Sequence, residues 1–183
     1  DVYKRQEVPA NANGECSMPE PLRALGRFRH EAVAVDATSG VLYLTEDEHD
    51  GLLYRFLPEV KGDLSAGKLQ ALAIRNAPSS DLRNWDQDSP GPSPVTGDTL
   101  PVEWVDLLDI HAPRGDLRIR GHEIHGAARF ARGEGIWAGN GSVYVACTNG
   151  GRSRIGQIWR YHPSPFEGTD QEAASPGQLE LFV

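Results

Sequence analysis

The stretch EGIWAGNGSVYVACTNGGRSRIGQIWRYHP, residues 134–163, decides the fold because an earlier part of the chain resembles it run for run. It holds three short apolar runs separated by turns rich in glycine, asparagine and serine, a pattern typical of consecutive antiparallel strands. The earlier counterpart begins at Glu31 and ends at Pro58. In both stretches the third run has an aromatic–Arg–aromatic core and a closing proline, LYRFLP and IWRYHP. The sequence therefore carries an internal repeat.

The repeat predicts two units of four strands each, because a fourth β-rich run follows a glycine in both copies. The runs are EAVAVD (31–36), VLYLTE (41–46), LLYRFLP (52–58) and KLQALAI (68–74), then EGIWAG (134–139), SVYVACT (142–148), GQIWRYHP (156–163) and GQLELFV (177–183). Glu31 precedes Thr45 by 14 residues and Glu134 precedes Thr148 by 14, which pairs the two threonines. Repeated four-stranded units are typical of β-propeller blades.

We therefore predict an all-β fold, a partial β-propeller of about two four-stranded blades, 31–74 and 134–183, plus a long insert. A β-sandwich is the alternative, although its hairpins repeat less strictly. Since a propeller needs about four to eight blades, we expect residues 7–183 to be a fragment of one domain, truncated at both ends. The opening DVYKRQ, residues 1–6, is expected to be adapter-derived and non-native.

The connection between the units, residues 75–133, is rich in proline and glycine around 76–100 and predicts a long excursion or a flexible insert. Within it, VEWVDLLDI (102–110) suits one more strand or a short helix. A helix is expected from about Glu123, where alanine and phenylalanine follow without breakers.

Composition excludes several classes of protein. The chain has 183 residues with 39% hydrophobic content, which is typical of a globular domain with a real core. A net charge of −8 argues against nucleic-acid binding and is compatible with binding cations. No apolar run approaches the roughly 20 residues of a membrane span. Cys16 and Cys147 define neither a disulfide framework nor a zinc site, and Cys147 is expected to be a core residue.

Two glutamates hold matched positions of the repeat. Glu31 and Glu134 each open the run that would form the innermost strand of a blade. Innermost strands line the central channel, so both carboxylates are expected to point toward one channel mouth. Converging carboxylates repel one another, and a bound hard cation such as Ca²⁺ relieves that repulsion by taking several oxygen ligands. Arg132, two positions before Glu134, has the chemistry to pair with a carboxylate or to hold a phosphate in a bidentate fork.

Simpler interpretations stay open for these charged residues. A glutamate at a strand start is usually solvated, and Arg132 and Glu134 lie close enough in sequence to pair only with each other. The acidic run TEDEHD offers Glu46 and Asp47 as further cation ligands, although a solvated loop accounts for that run nearly as well.

Other candidate groups carry weaker signals. His30, beside Glu31, suits a ligand, a hydrogen-bond partner or an exposed strand end. The histidines of GHEIH, residues 121–125, stand three apart, whereas the zincin pattern needs four. The sequence contains no Walker loop, no G-x-S-x-G motif and no Cys–His constellation that favours nucleophilic catalysis.

The linked motifs resemble those of the PhoX-type alkaline phosphatases and their wider bacterial family. The resemblance rests on GRFRHEAVAVD, GVLYLTED, LYRFLP, GKLQAL, RGEGIW and GQIWRY in this order. It implies a β-propeller whose axis holds a cluster of iron and calcium ions, Fe³⁺ and Ca²⁺, and which hydrolyses phosphomonoesters. It also implies export to the periplasm or the exterior, a small-molecule substrate and a monomer at full length.

Residue by residue, the resemblance assigns metal binding to Glu31 and Glu134, and with less support to Asp47 and Glu46. Arg132 matches an arginine that meets the substrate phosphate. The family's iron-binding cysteine motif is absent from this stretch, and Cys16 does not match it, so the chain alone is expected to be inactive. Two alternatives remain open: a non-catalytic, calcium-stabilised propeller that acts as a binding module, and a lactonase-like calcium propeller that acts on esters.

Overall fold

The structure is a computed structural model that describes residues 5–7, 18–85 and 91–183. Cys16 lies outside the described residues. The described elements are β1 (Gln6–Glu7), β2 (Glu20–Pro21), β3 (His30–Val35), β4 (Leu42–Glu46), β5 (Leu53–Pro58), β6 (Gly67–Ile74), β7 (Thr99–Asp106), α1 (Leu117–Glu123), β8 (Gly133–Gly139), β9 (Ser142–Cys147), β10 (Gln157–His162) and β11 (Gln178–Leu181), with short 3₁₀ turns at Arg23–Leu25 and Glu172–Ala174.

The predicted all-β fold and its two four-stranded units are confirmed. Strands β3 to β6 form one antiparallel meander, and β8 to β11 form a second. The two meanders belong to one nine-stranded sheet with the order β3-β4-β5-β6-β7-β11-β10-β9-β8. The sheet is nearly closed, because β3 and β8 at its two ends contact each other. Edge strands that face each other in this way are protected from pairing with other chains.

Strand β7 joins the outer edges of the two units. Its residues Val102–Asp106 pair with β6, and Thr99–Pro101 pair with β11. The sequence predicted either a strand or a short helix for residues 102–110, and the structure shows mainly strand. The helix expected from Glu123 is wrong in its position, because α1 ends at that residue. Gly126, with a φ of +80°, follows closely and favours the end of a helix.

The main core lies between the two units, and both contribute buried side chains to it. Side chains alternate along each strand, so Tyr43 of β4 points toward the second unit while its neighbour Leu44 points away. The cluster between the units includes Leu72 from the first unit and Trp159 from the second. A second cluster covers the far face of the first unit, where Leu44 packs with residues around the first 3₁₀ turn and α1.

Part of the insert is packed rather than flexible. Leu82 is fully buried in the core between the units, and Asp81 bridges to Arg129. The backbone of Leu82 also donates to the carbonyl of Arg129 at 2.9 Å. The expectation of a flexible insert is therefore wrong for residues 77–85, because one apolar side chain and several backbone hydrogen bonds fix them. Residues 86–90 lie outside the described part of the chain.

An ion-pair network crosses the junction between the units at Arg55 on β5. The Arg55 side chain is 2% exposed, and its Nε donates to Gln70 Oε1 at 2.7 Å. Its Nη1 donates to Glu167 at 2.7 Å and to Glu172 at 2.6 Å, while Nη2 donates to the other oxygen of Glu172 at 2.7 Å. Both glutamates belong to the connection 163–177 between β10 and β11. A guanidinium of the first unit therefore anchors a loop of the second.

Neighbouring aromatic residues complete this network. Tyr43 and Tyr161 donate to different oxygens of Glu167 at 2.9 and 2.8 Å. Trp104 Nε1 donates to Tyr161 Oη at 2.9 Å, and its ring centroid lies 4.7 Å from Arg55 Cζ. Burial raises the pKa of Glu167, against the attraction of Arg55. A satisfied buried network of this kind favours one arrangement of the two units.

Candidate functional site

Matching irregularities place Glu31 and Glu134 at equivalent points of the two units. The pairing of β3 with β4 shifts register between His30 and Val33, and that of β8 with β9 shifts between Gly133 and Ile136. Each glutamate directly follows the first residue of its irregularity, where a bulge re-aims side chains. The first strands of both units therefore present a carboxylate at the same end. We call Glu31, Asp47, Arg132, Glu134 and Thr148 the strand-start cluster.

Register also corrects the pairing of the threonines. Gly133 lies opposite Cys147 as His30 lies opposite Glu46, so Cys147 is the counterpart of Glu46 and Thr148 that of Asp47. Glu31 precedes Thr45 and Glu134 precedes Thr148 by the same 14 residues. The first turn differs in length between the two units, so this equal spacing does not make Thr45 equivalent to Thr148.

The backbone of Arg132 is fixed by the acidic loop that follows β4. Phe130 N donates to the carbonyl of Gly51, and Arg132 N donates to the carbonyl of Glu48, each at 2.8 Å. The carbonyl of Arg132 accepts from Thr148 N at 3.0 Å. Its φ is +56°, a left-handed conformation that a long side chain adopts only where the surroundings hold it. The chain thus brings Arg132 to Asp47 across a sequence distance of 85 residues.

The Arg132 side chain is held by two carboxylates. Its Nε donates to Asp47 Oδ1 at 2.7 Å, and its Nη2 donates to Asp47 Oδ2 at 2.9 Å, which makes a bidentate pair. Nη2 also lies 3.1 Å from Glu134 Oε1. The hydrogen bond from Arg132 lowers the pKa of Asp47. Within the described part of the chain no contact occupies Nη1, so its two N–H groups remain for a ligand.

Glu134 accepts hydrogen bonds from Thr148, which follows β9, and from Thr45 on β4. Thr148 Oγ1 donates to Glu134 Oε1 at 2.7 Å. The carbonyl of Glu134 accepts from Thr45 Oγ1 at 2.7 Å, and Thr45 Oγ1 in turn accepts from Ala32 N at 3.0 Å. The buried hydroxyl of Thr45 therefore links the first strand of one unit to the first strand of the other, and fixes the strand start that carries Glu134.

Glu31 lies at the exposed side of the cluster. Its carboxylate interacts electrostatically with Arg132 and with Arg5. The structure therefore brings Arg132, Asp47 and Glu134 into direct contact, with Glu31 near them.

Glu46 lies apart from these residues, because alternation along β4 turns it toward the far face of the first unit. Its side chain is buried, and Oε2 accepts from Tyr54 Oη at 2.7 Å and from Leu52 N at 3.1 Å. Burial raises the pKa of Glu46 to about 7, although these hydrogen bonds and the charge of Arg118 oppose the shift. The position of Glu46 suits a role in fixing the loop that carries Asp47.

The free energy of unfolding should depend on pH because Glu46 is buried. The pKa of Glu46 is about 7 in the folded state and 4.5 in the unfolded state. Between these two pH values the folded protein therefore binds a proton that the unfolded chain releases. The free energy of unfolding is expected to fall by about 3 kcal/mol as pH rises from about 4.5 to about 7. Glu46→Gln should flatten this part of a urea-denaturation profile against pH. The partly exposed Glu48→Gln is the control, and an unchanged profile in the Glu46 variant would contradict the assignment.

Several other candidate groups take structural positions. His30 is buried and stacks on Phe28, with ring centroids 3.6 Å apart. Burial lowers the pKa of His30 to about 4, so it is neutral at pH 7. His122 Nδ1 lies 2.8 Å from the carbonyl of Ala127. Cys147 is buried in the core as expected, and burial raises the pKa of its thiol to about 12.

The donors of the strand-start cluster fit a metal ion only in part. Carboxylate oxygens are the ligands that a hard cation such as Ca²⁺ prefers, and Glu31 and Glu134 supply them. Asp47 is already engaged by Arg132 through both oxygens. Across residues 5–7, 18–85 and 91–183, no three His, Cys, Asp or Glu side chains are grouped so as to hold a metal ion. The cluster would therefore contribute ligands to a metal centre without completing one.

Sequence reasoning missed Thr148, which orients Glu134, and Asn149, which follows it. The Asn149 side chain contacts His49 Nδ1 at 3.2 Å, and its carbonyl accepts from Trp85 Nε1 at 2.6 Å. The only available signal was the place of Thr148 and Asn149 after the second strand of a unit, where the first unit has its acidic loop.

Together, the fold and the cluster define an all-β protein of paired repeats with an arginine and carboxylates at one end of its inner strands. The family described as alkaline phosphatase PhoX matches residues 6–183. The chain therefore belongs to the PhoX family of alkaline phosphatases, a metalloenzyme family, as its motifs predicted. No curated protein and no solved structure matches the chain significantly. Among the described residues, no helix has the length and apolar character to cross a membrane.

Proposed function

We propose that the chain carries the phosphate-binding part of a metal-dependent phosphomonoesterase, with Arg132 as the residue that meets the substrate phosphate. The observation that carries this proposal is the way Arg132 is held. Asp47 and Glu134 engage Nε and Nη2, whereas Nη1 makes no hydrogen bond to the described residues and keeps two donors for a ligand. A guanidinium fixed in this way needs little reorganisation to bind the oxygens of a phosphoryl group.

Arg132 would stabilise negative charge on the phosphoryl group and would not act as a general acid or base. Its pKa is raised by the hydrogen bond to Asp47 and by the charge of that carboxylate, so it stays cationic. In phosphoryl transfer, negative charge spreads over the equatorial oxygens of the transferred group. N–H donors fixed beside those oxygens favour the transition state over the free ester. Asp47 and Glu134 would keep the guanidinium in the required orientation.

The metal dependence of the family enters as part of the proposal. Glu31 and Glu134 would contribute carboxylate oxygens to a centre of Ca²⁺ and Fe³⁺, completed by groups outside the strand-start cluster. A metal bound there would act as a Lewis acid on the phosphoryl group. We extend the proposal to export from the cytoplasm and to a monomeric full-length enzyme, both from the family resemblance.

The test is hydrolysis of p-nitrophenyl phosphate by the full-length protein, metallated and then stripped with a chelator. We expect turnover that is lost on chelation and restored by Ca²⁺. Calcium-dependent folding without turnover would support the non-catalytic binding module instead. Turnover of a lactone or carboxylic ester, with none of the phosphate ester, would support the lactonase-like alternative. Either result would overturn the phosphomonoesterase proposal.

A further inference from the structure

A second cationic group lies beside the strand-start cluster. Arg83 and Arg154 both cover the ring of Trp85, each with Cζ 4.3 Å from the ring centroid. Guanidinium groups are attracted to aromatic rings at such distances. Trp85 itself is fixed, because its Nε1 donates to the carbonyl of Asn149 at 2.6 Å. We call Arg83, Trp85 and Arg154 the arginine–tryptophan cluster.

Two short paths connect this cluster to the strand-start cluster. Asn149, which holds Trp85, directly follows Thr148, which holds Glu134. The side chain of Asn149 also contacts His49, in the same loop as Asp47. The two clusters are therefore linked through the same two loops, the one that follows β4 and the one that follows β9.

The two guanidinium groups over Trp85 differ in charge compensation. Arg83 is neutralised by Asp81, to which its Nε donates at 2.8 Å and its Nη2 at 2.5 Å. Arg154 is exposed, and its guanidinium lies over the Trp85 ring. Its backbone φ of +53° is left-handed, like that of Arg132. Arg154 thus presents an oriented positive charge whose N–H edge makes no hydrogen bond to the described residues.

We propose that Arg154, held on Trp85, binds a second anionic group of the substrate while Arg132 binds the phosphate that is removed. This inference rests on the proposed function and deepens it, because it selects phosphomonoesters whose leaving group carries another phosphate or carboxylate. A ring already covered by two guanidinium groups leaves little room for a third planar group. The cluster therefore suits an anion at the N–H edge of Arg154 better than an aromatic ring stacked on Trp85.

The experiment compares two ligands of equal chain length, hexane-1,6-diol bisphosphate and hexyl monophosphate, by titration calorimetry at about 0.15 M salt, where long-range charge effects are screened. The wild-type protein should bind the bisphosphate more tightly, well beyond the statistical factor of two. Arg154→Gln should reduce that preference about tenfold, since a charge-assisted contact is lost. Arg152→Gln, which removes the same charge two residues away, is the matched control and should leave the preference unchanged.

Trp85→Leu keeps every charge and releases Arg154, so it should lower the preference as Arg154→Gln does. Equal losses in the Arg152 and Arg154 variants, or no preference in the wild type, would overturn the proposal. If either of these results is obtained and the wild-type protein still hydrolyses p-nitrophenyl phosphate, only the second anion site is refuted. A protein that keeps the preference without hydrolysing any phosphate ester would refute only the proposed function.

Discussion

Replacing Arg55 by methionine should lower the free energy of unfolding by about 3–5 kcal/mol, the usual cost of removing one partner from a buried ion pair. Arg55 is the only cation that the described network supplies to Glu167 and Glu172. Without it, the two carboxylates lose their compensating positive charge, and the Gln70 oxygen loses the Arg55 donor. Urea denaturation should show the loss as a lower midpoint with an unchanged slope.

The pH dependence sharpens this test. Burial already raises the pKa of Glu167 with Arg55 present. Removing the guanidinium should raise that pKa further, so protonation relieves the buried charge at low pH. The destabilisation caused by Arg55→Met should therefore grow as pH increases from about 5 to about 8. A deficit that is constant over this range would show that lost packing, rather than charge, dominates.

Arg160 provides a matched control from the second unit. It lies opposite Tyr144 as Arg55 lies opposite Tyr43, so the two arginines hold the same place in the repeat. Arg160 pairs with Glu180, and its side chain is 28% exposed. Water can replace that partner, so Arg160→Met should move the urea midpoint far less. Equal shifts in the two variants would show that repeat position, and not burial, governs the loss.

Replacing Arg132 by glutamine should lower kcat/KM for p-nitrophenyl phosphate by about 10²–10³-fold in the full-length enzyme, comparable with the loss of one preorganised donor group. The loss should fall mainly on kcat, because the donors act most strongly on the charge of the transition state. Arg132→Lys keeps the charge but not the fork, so it should recover only a minor part of the rate.

Arg29 supplies the control for Arg132. It is an exposed arginine near the same acidic loop, 3.5 Å from Glu48, and it makes no bidentate pair there. Arg29→Gln removes the same charge and should leave kcat/KM within about twofold, because exposed pairs contribute little. A similar loss in both variants would mean that the net charge of the surface matters, and that Arg132 has no specific role at the phosphate.

Local patterning was sufficient to predict the strands and the equivalent positions of two glutamates in the repeat. The β-rich runs EAVAVD and SVYVACT, bounded by turn residues, predicted strands. The repeat matched Glu31 with Glu134, and the two irregularities of register confirm that match. Residue spacing did not predict equivalent positions correctly where the turns of the two units differ in length. Six residues separate Val35 from its partner Leu42, but four separate Ala138 from Val143, so Thr45 and Thr148 are not equivalent.

Features that depend on contacts between distant segments could not be predicted. Asp47 and Arg132 are 85 residues apart, and Trp85 meets Asn149 across 64 residues. The orientation of Glu46 depends on which face of β4 meets the second unit, and an acidic run carries no signal for that choice. The helix at Leu117–Glu123 contains Gly121 and buries Leu117 in the second core cluster. Tertiary packing contributes to such a helix, and local propensity therefore misplaced it.

Strand β7 joins the two repeats by backbone pairing. Modules that touch only through side chains can gain and lose structure one at a time. Here, one half of β7 completes the hydrogen bonding of the first repeat and the other half completes that of the second. The pairing of Thr99 with Glu180 also closes a long loop of chain, an entropic cost that must be met before the pairing contributes stability. We therefore expect the repeats to fold together, with this junction formed late.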